Sequence, residues 1–146
     1  DGFLLGMLDH NVPSSDYQIL TAKRLQRDKV QAGYDVLSEY IQKNGVNFDT
    51  IITTSDLIAV GVLKCLRESN CRVPEDVQVV GYDDISIAAL VSPPLTTIHQ
   101  DTARLGQEAF NLLCEIMQSG HSDPKQVVIE NKLVIRDSTR NTPQKS

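Results

Sequence analysis

Apolar residues along the chain fall into short β-branched runs and longer stretches spaced three and four apart. Strand-like and helix-like segments therefore alternate almost throughout the 146 residues. Phe3 to Leu8 reads as the end of a helix, stopped by Asn11, Pro13 and the Ser14-Ser15 pair. Tyr17 to Thr21 is expected to form a short strand. Val30, Tyr34, Leu37 and Ile41 recur at helical spacing, and Asn44-Gly45 supplies a C-terminal stop. Thr50 to Thr54 is a β-branched run with the composition of a strand buried on both faces. Directly after it, Ser55 can cap a helix whose first turn holds Asp56, where negative charge suits the dipole. Ala59, Val62, Leu63 and Leu66 share one face of that helix, which ends around Asn70, before Pro74.

Val77 to Val80 reads as the next buried strand, closed by Gly81-Tyr82-Asp83-Asp84. Ile85 to Val91 forms a short helix that Ser92-Pro93-Pro94 terminates, and Leu95 to Ile98 is a brief extended piece. From about Thr102 a long amphipathic helix carries Leu105, Ala109, Leu112, Leu113, Ile116 and Met117 on one face, ending at Gly120. Val127 to Ile129 and Leu133 to Ile135 are expected as strands near the sheet edge, before a polar, frayed tail from Arg140. Such alternation with short turns predicts an α/β fold, a mainly parallel sheet flanked by helices. In these sheets ligands bind beyond the carboxyl ends of strands. That singles out the loops Thr54-Ser55-Asp56 and Tyr82-Asp83-Asp84.

Composition narrows the function. Hydrophobic residues make up 40% and charged residues 23%, as in a globular domain, and no apolar run approaches a membrane span. No basic-then-apolar leader opens the sequence. With a net charge of −5 the chain lacks the basic stripe of a direct DNA binder. Its one basic cluster, Lys23-Arg24 with Arg27 and Lys29, is broken by Asp28 and reads as a solvated helix entry. If the protein regulates DNA, another part of it touches the DNA. Cys65, Cys71 and Cys114 form no Cys-x-x-Cys pair, which points to reduced thiols in a cytoplasm; Cys65 and Cys114 read as small core residues. His10, His99 and His121 have no metal-ligand spacing, and no cofactor or nucleophile motif is present, so an enzyme is not expected.

Three stretches in this order resemble the lactose/galactose-repressor family of transcription regulators. They are Thr53-Thr54-Ser55-Asp56-Leu57-Ile58-Ala59-Val60-Gly61, Arg72-Val73-Pro74-Glu75-Asp76-Val77 running into Val79 to Asp84, and Pro93-Pro94-Leu95-Thr96-Thr97-Ile98 with Gln100 and Leu105-Gly106. Gly33-Tyr34 matches a weaker family pattern, and Gly2-Phe3 resembles the end of its Arg-x-x-Gly-Phe helix. The resemblance implies a periplasmic-binding-protein-like fold and the C-terminal part of an effector-sensing domain. Residues 3–91 and 121–139 would belong to the C-terminal subdomain, and about 95–119 would cross to pack on an N-terminal subdomain outside this chain. A small-molecule effector, a sugar or related metabolite, would control operator DNA binding through a headpiece that also lies outside it. An exported sugar-binding protein of a transporter shares this fold and is the alternative.

Family carry-over puts the effector against Asp83 and against Ser55, where Asn is usual. A strand-end carboxylate accepting two or more hydrogen bonds suits sugar hydroxyls or an amine. Asp84 is assigned instead to capping the helix at Ile85. Ser55 could equally cap its own helix, and Asp56 is a further effector candidate whose main expected work is at the helix start. Asp28 stands where many members stack an aromatic residue on the ligand; it could accept hydroxyls or simply begin the next helix. Ile58, Val60, Leu90 and Val91 fall where the family buries a two-fold homodimer interface, although core packing would place apolar residues there too. The helix from Ile85 to Val91 is apolar on almost every side and so needs a second cover, which favours the dimer.

Overall fold

The structure is a computed structural model and describes residues 2–22, 28–119 and 125–140. In chain order it contains α1 (Gly2–Asp9), α2 (Lys29–Asn44), β1 (Thr50–Ile52), α3 (Asp56–Glu68), β2 (Gln78–Asp83), α4 (Ile87–Leu90), β3 (Thr96–His99), α5 (Thr102–Ser119) and β4 (Lys132–Val134). The strands form one sheet in the order β1-β2-β3-β4. β1 pairs β2 and β2 pairs β3 in parallel, while β4 runs antiparallel to β3. The expected α/β fold with a mainly parallel sheet is the one observed.

Local chemistry sets the helix ends. Asp28 has extended backbone and accepts from the amides of Val30 and Gln31 at 3.0 and 3.1 Å, starting α2. Gly45, at φ 71°, ends it by donating its amide to Ile41 at 2.8 Å. α2 packs on α3, and α3 on β2. The helix pair approaches backbone to backbone, because a Cβ on Gly33 would overlap the Ile58 carbonyl and one on Gly61 the Val30 carbonyl. The core is Leu37, Ala59, Val62, Leu63, Cys65, Leu66, Val77, Val79, Ala88 and Leu95. Removing a leucine side chain of this kind from water stabilises the fold by about 1.5–3 kcal/mol.

Several expectations are corrected. β1 is an edge strand rather than one buried on both faces: Ile51 packs on the core, but Ile52 points to the other side and is 55% exposed. Leu133 shares that side across the register Ile52–Val80, Val80–Thr96 and Tyr82–Ile98–Leu133, and it too is exposed. Tyr17 to Thr21 is not a strand, nor is Val127 to Ile129, since neither segment finds a strand to pair with. Tyr17 instead meets the Phe3 ring edge to face at 5.6 Å. The helix expected from Ile85 to Val91 shrinks to the single turn of α4. Cys114 is only half-buried, unlike Cys65.

Arg140 is not frayed: its amide donates to Gln78 Oε1 at 2.9 Å and its Nε to the Pro74 carbonyl at 3.0 Å. The tail after it, His121, Gly120 and most of the basic cluster lie outside the described residues. α1 buries no residue. Along α5, Leu105, Phe110, Leu113, Ile116 and Met117 are all exposed. No helix among the described residues is long and apolar enough to cross a membrane.

Candidate functional site at the strand ends

The parallel strands β1, β2 and β3 end on one edge of the sheet. They deliver Ser55-Asp56, Asp83-Asp84 and His99-Gln100 to it. Thr53 ties the first of these ends to the second, its amide donating to Val80 O at 2.9 Å and its hydroxyl reaching Ser55 O at 3.0 Å. Asp83 and Asp84 both adopt positive φ, 115° and 55°, so the chain turns sharply as it leaves β2.

The three carboxylates of this edge differ in what they hold. Asp56 is fully buried, with Oδ1 accepting from the Thr97 hydroxyl at 2.6 Å and Oδ2 from the Ile85 amide at 2.9 Å. Asp84 pairs with Arg136 at 2.7 Å and His99 at 3.0 Å. The Arg136 guanidinium, with help from His99, holds its carboxyl below the ordinary carboxylate range. Asp84 therefore does not cap α4 as expected; the free amide at that turn goes to Asp56. Asp83, half-buried, takes one hydrogen bond among the described residues, from Gln100 Nε2 at 2.7 Å.

Ser55 is buried, and its hydroxyl accepts from the Ile58 amide at 3.5 Å, the capping role. Asp28 sits at the start of α2, where its hydrogen bonds run to its own helix. Asp56 and Asp83 are thus brought together through one turn, while Asp28 is not linked to them by any hydrogen bond. Of the proposed interface residues, Ile58 and Val91 pack against the core, Val60 is half-buried, and Leu90 is 77% exposed. Gln100, Thr97, His99 and Arg136 were not among the expected site residues. Parallel alternation could have placed Thr97 beside Gly81, but Arg136 carries no local signal. Among the described residues no group of three or more side chains could hold a metal ion.

Residues 1–139 match the family model of the periplasmic binding protein-like domain. The HTH-type transcriptional repressor PurR of Yersinia pestis bv. Antiqua (strain Antiqua) is 32% identical over 142 residues, 97% of this chain and 40% of its own length. Among solved structures, a transcriptional regulator CelR–cellobiose complex superposes with a TM-score of 0.80 at 29% identity, over 94% of this chain and 40% of that one. A LacI family transcriptional regulator from Enterococcus faecium with bound ribose gives 0.78 at 27% identity, over 94% of this chain and 49% of that one. The chain therefore spans half or less of the length of the proteins it matches.

Proposed function

This chain belongs to the periplasmic binding protein-like domain family, and on that premise we propose that it is the effector-sensing and dimerisation region of a lactose/galactose-repressor-type transcription regulator. A sugar or related metabolite binds beside Asp83 and controls operator binding by a headpiece elsewhere in the protein. Residues 3–91 and 121–139 make up the C-terminal subdomain, and about 95–119 cross to a partner subdomain. The regulator is a cytoplasmic homodimer and not an enzyme. Its relatives are transcription regulators, which supports this reading over a transporter's binding protein.

One observation carries the effector site. Of the three strand-end carboxylates, Asp56 and Asp84 are committed to internal partners, whereas Asp83 keeps acceptor capacity beyond its bond to Gln100. An ionised carboxylate has about four acceptor positions, enough for two neighbouring hydroxyls of a sugar. Effector binding then acts by favouring one arrangement of the subdomains over another, in proportion to its differential affinity.

A thermal-shift panel on the intact regulator tests this, with cellobiose, ribose, sugar phosphates, nucleosides and purines as probes. A ligand at about 100 times its Kd adds about 2.7 kcal/mol and raises Tm. The rise is expected for a sugar and is lost in Asp83→Ala. A full shift surviving in that variant would remove Asp83 from the site, and no shift with any sugar would end the sugar reading.

A further inference from the structure

We infer that Asp56 is the positioning residue of this site, setting the turn that presents Asp83 without touching the ligand. The inference rests on the effector-site reading above, keeps the helix-start role expected of Asp56 and drops it as an effector contact. Asp56 is 0% exposed and each of its oxygens already accepts a hydrogen bond from inside the fold, so a ligand arriving from solvent finds no surface of it to meet. Its partner amide, on Ile85, immediately follows Asp83 and Asp84, two successive non-glycine residues at positive φ. Backbone of that kind persists only where its surroundings over-determine it.

The surroundings do so here from three directions. Ser86, at the start of α4, makes no side-chain cap, so the turn's amide is satisfied across the fold by α3, 29 residues earlier. Thr97 on β3 holds the other oxygen. Gly81, two residues before Asp83, leaves the space the carboxylate fills: a Cβ there would overlap Asp56 Oδ1 and crowd Leu95 and Thr97. A carboxylate alone offers two separate acceptors to two donors on different elements; an amide offers one. Asp56 thereby joins the ligand turn to the starts of α3 and α4, the helices that carry Val60 and Leu90.

Hydrogen exchange read by mass spectrometry tests this on the ligand-free regulator, for wild type, Asp56→Asn and Asp56→Ala. Loss of the acceptor is expected to speed exchange in the segment 82–90 about tenfold in Asp56→Ala, with Asp56→Asn between it and wild type. Segments of α2 and of the Leu66 region should exchange as in wild type. Affinity for whichever of cellobiose or ribose gives the thermal shift should fall in the same order, and fall no further when Asp56→Asn is added to Asp83→Asn. Weakened binding with unchanged exchange in 82–90 would make Asp56 a direct contact, and faster exchange everywhere would make it scaffold only. Either result overturns the inference. Absence of sugar binding in wild type counts against the effector reading alone, because the exchange pattern still decides what Asp56 holds.

Discussion

Asp84 shows how one side chain ties a turn to a distant part of the chain. Its carboxylate and the Arg136 guanidinium are 16% and 21% exposed, so solvent screens their 2.7 Å pair only in part. Arg136 first and His99 second keep the Asp84 carboxyl below its ordinary range. A depressed folded-state value stabilises the fold above the unfolded carboxylate's pKa, about 3.9, and that contribution disappears as pH falls through the folded value. Asn tolerates the left-handed backbone at this position, so Asp84→Asn isolates the charge from the turn. At neutral pH the variant should be about 1–3 kcal/mol less stable in urea unfolding, and the two proteins should converge as the pH falls through the lowered value of the folded carboxyl. A difference that stays constant with pH would contradict this account. Asp76 offers a second acid-limb marker: side-chain and then backbone hydrogen bonds from Arg72 lower it to about 2, so its carboxyl resonance should titrate near there. Neither Arg136 nor Arg72 could be assigned these partners from the sequence. The first lies 52 residues from Asp84, and the second needs the turn to bring it back on Asp76.

At the scale of elements, the helices were legible and the strands only partly so. Spacing and caps were enough for α2, α3 and α5, because a helix satisfies its own backbone and its apolar stripe needs only some cover. A strand is completed by its neighbours, so the β-branched run gave a sheet edge at Thr50–Ile52, while the mixed run Tyr17 to Thr21, with nothing to pair with, gave no strand. Burial likewise depends on what lies opposite, and here it divides two helices of similar amphipathic pattern. Leu66 of α3 is completely buried in the core, whereas Leu113 of α5 is 53% exposed. Leu66→Ala should cost about 2–5 kcal/mol in this chain's own unfolding, and Leu113→Ala within about 0.5 kcal/mol. Chemical denaturation of the isolated chain measures both. A large cost at Leu113 would mean that α5 is packed on this domain after all.

For the whole molecule, the proposed site and the proposed association surface belong to one problem, because α3 and α4 each start at the strand-end edge and each carry part of the two-fold face. The four residues expected there are not equivalent. Ile58 and Val91 are already packed against the core, so their apolar character is explained within one subunit. Leu90 is not: it stands 77% exposed on the α4 turn whose Ala88 is fully buried, with Ile85, five residues earlier, and Leu57, next to the Asp56 that holds the Ile85 amide, also exposed. A two-fold interface brings the same patch of both subunits together, so one charge placed in it is placed twice. Leu90→Asp in the intact protein should therefore give monomers in sedimentation at concentrations where the proposed homodimer forms in wild type. Its unfolding should also lose the concentration dependence that a linked dimer shows. Ile58→Ala should behave in the opposite way, costing about 2–4 kcal/mol of subunit stability through the core it leaves underfilled. A Leu90→Asp protein that sediments as wild type would move the proposed interface off α4, and the proposed coupling from Asp83 through Asp56 would then have to leave the subunit by α3 alone.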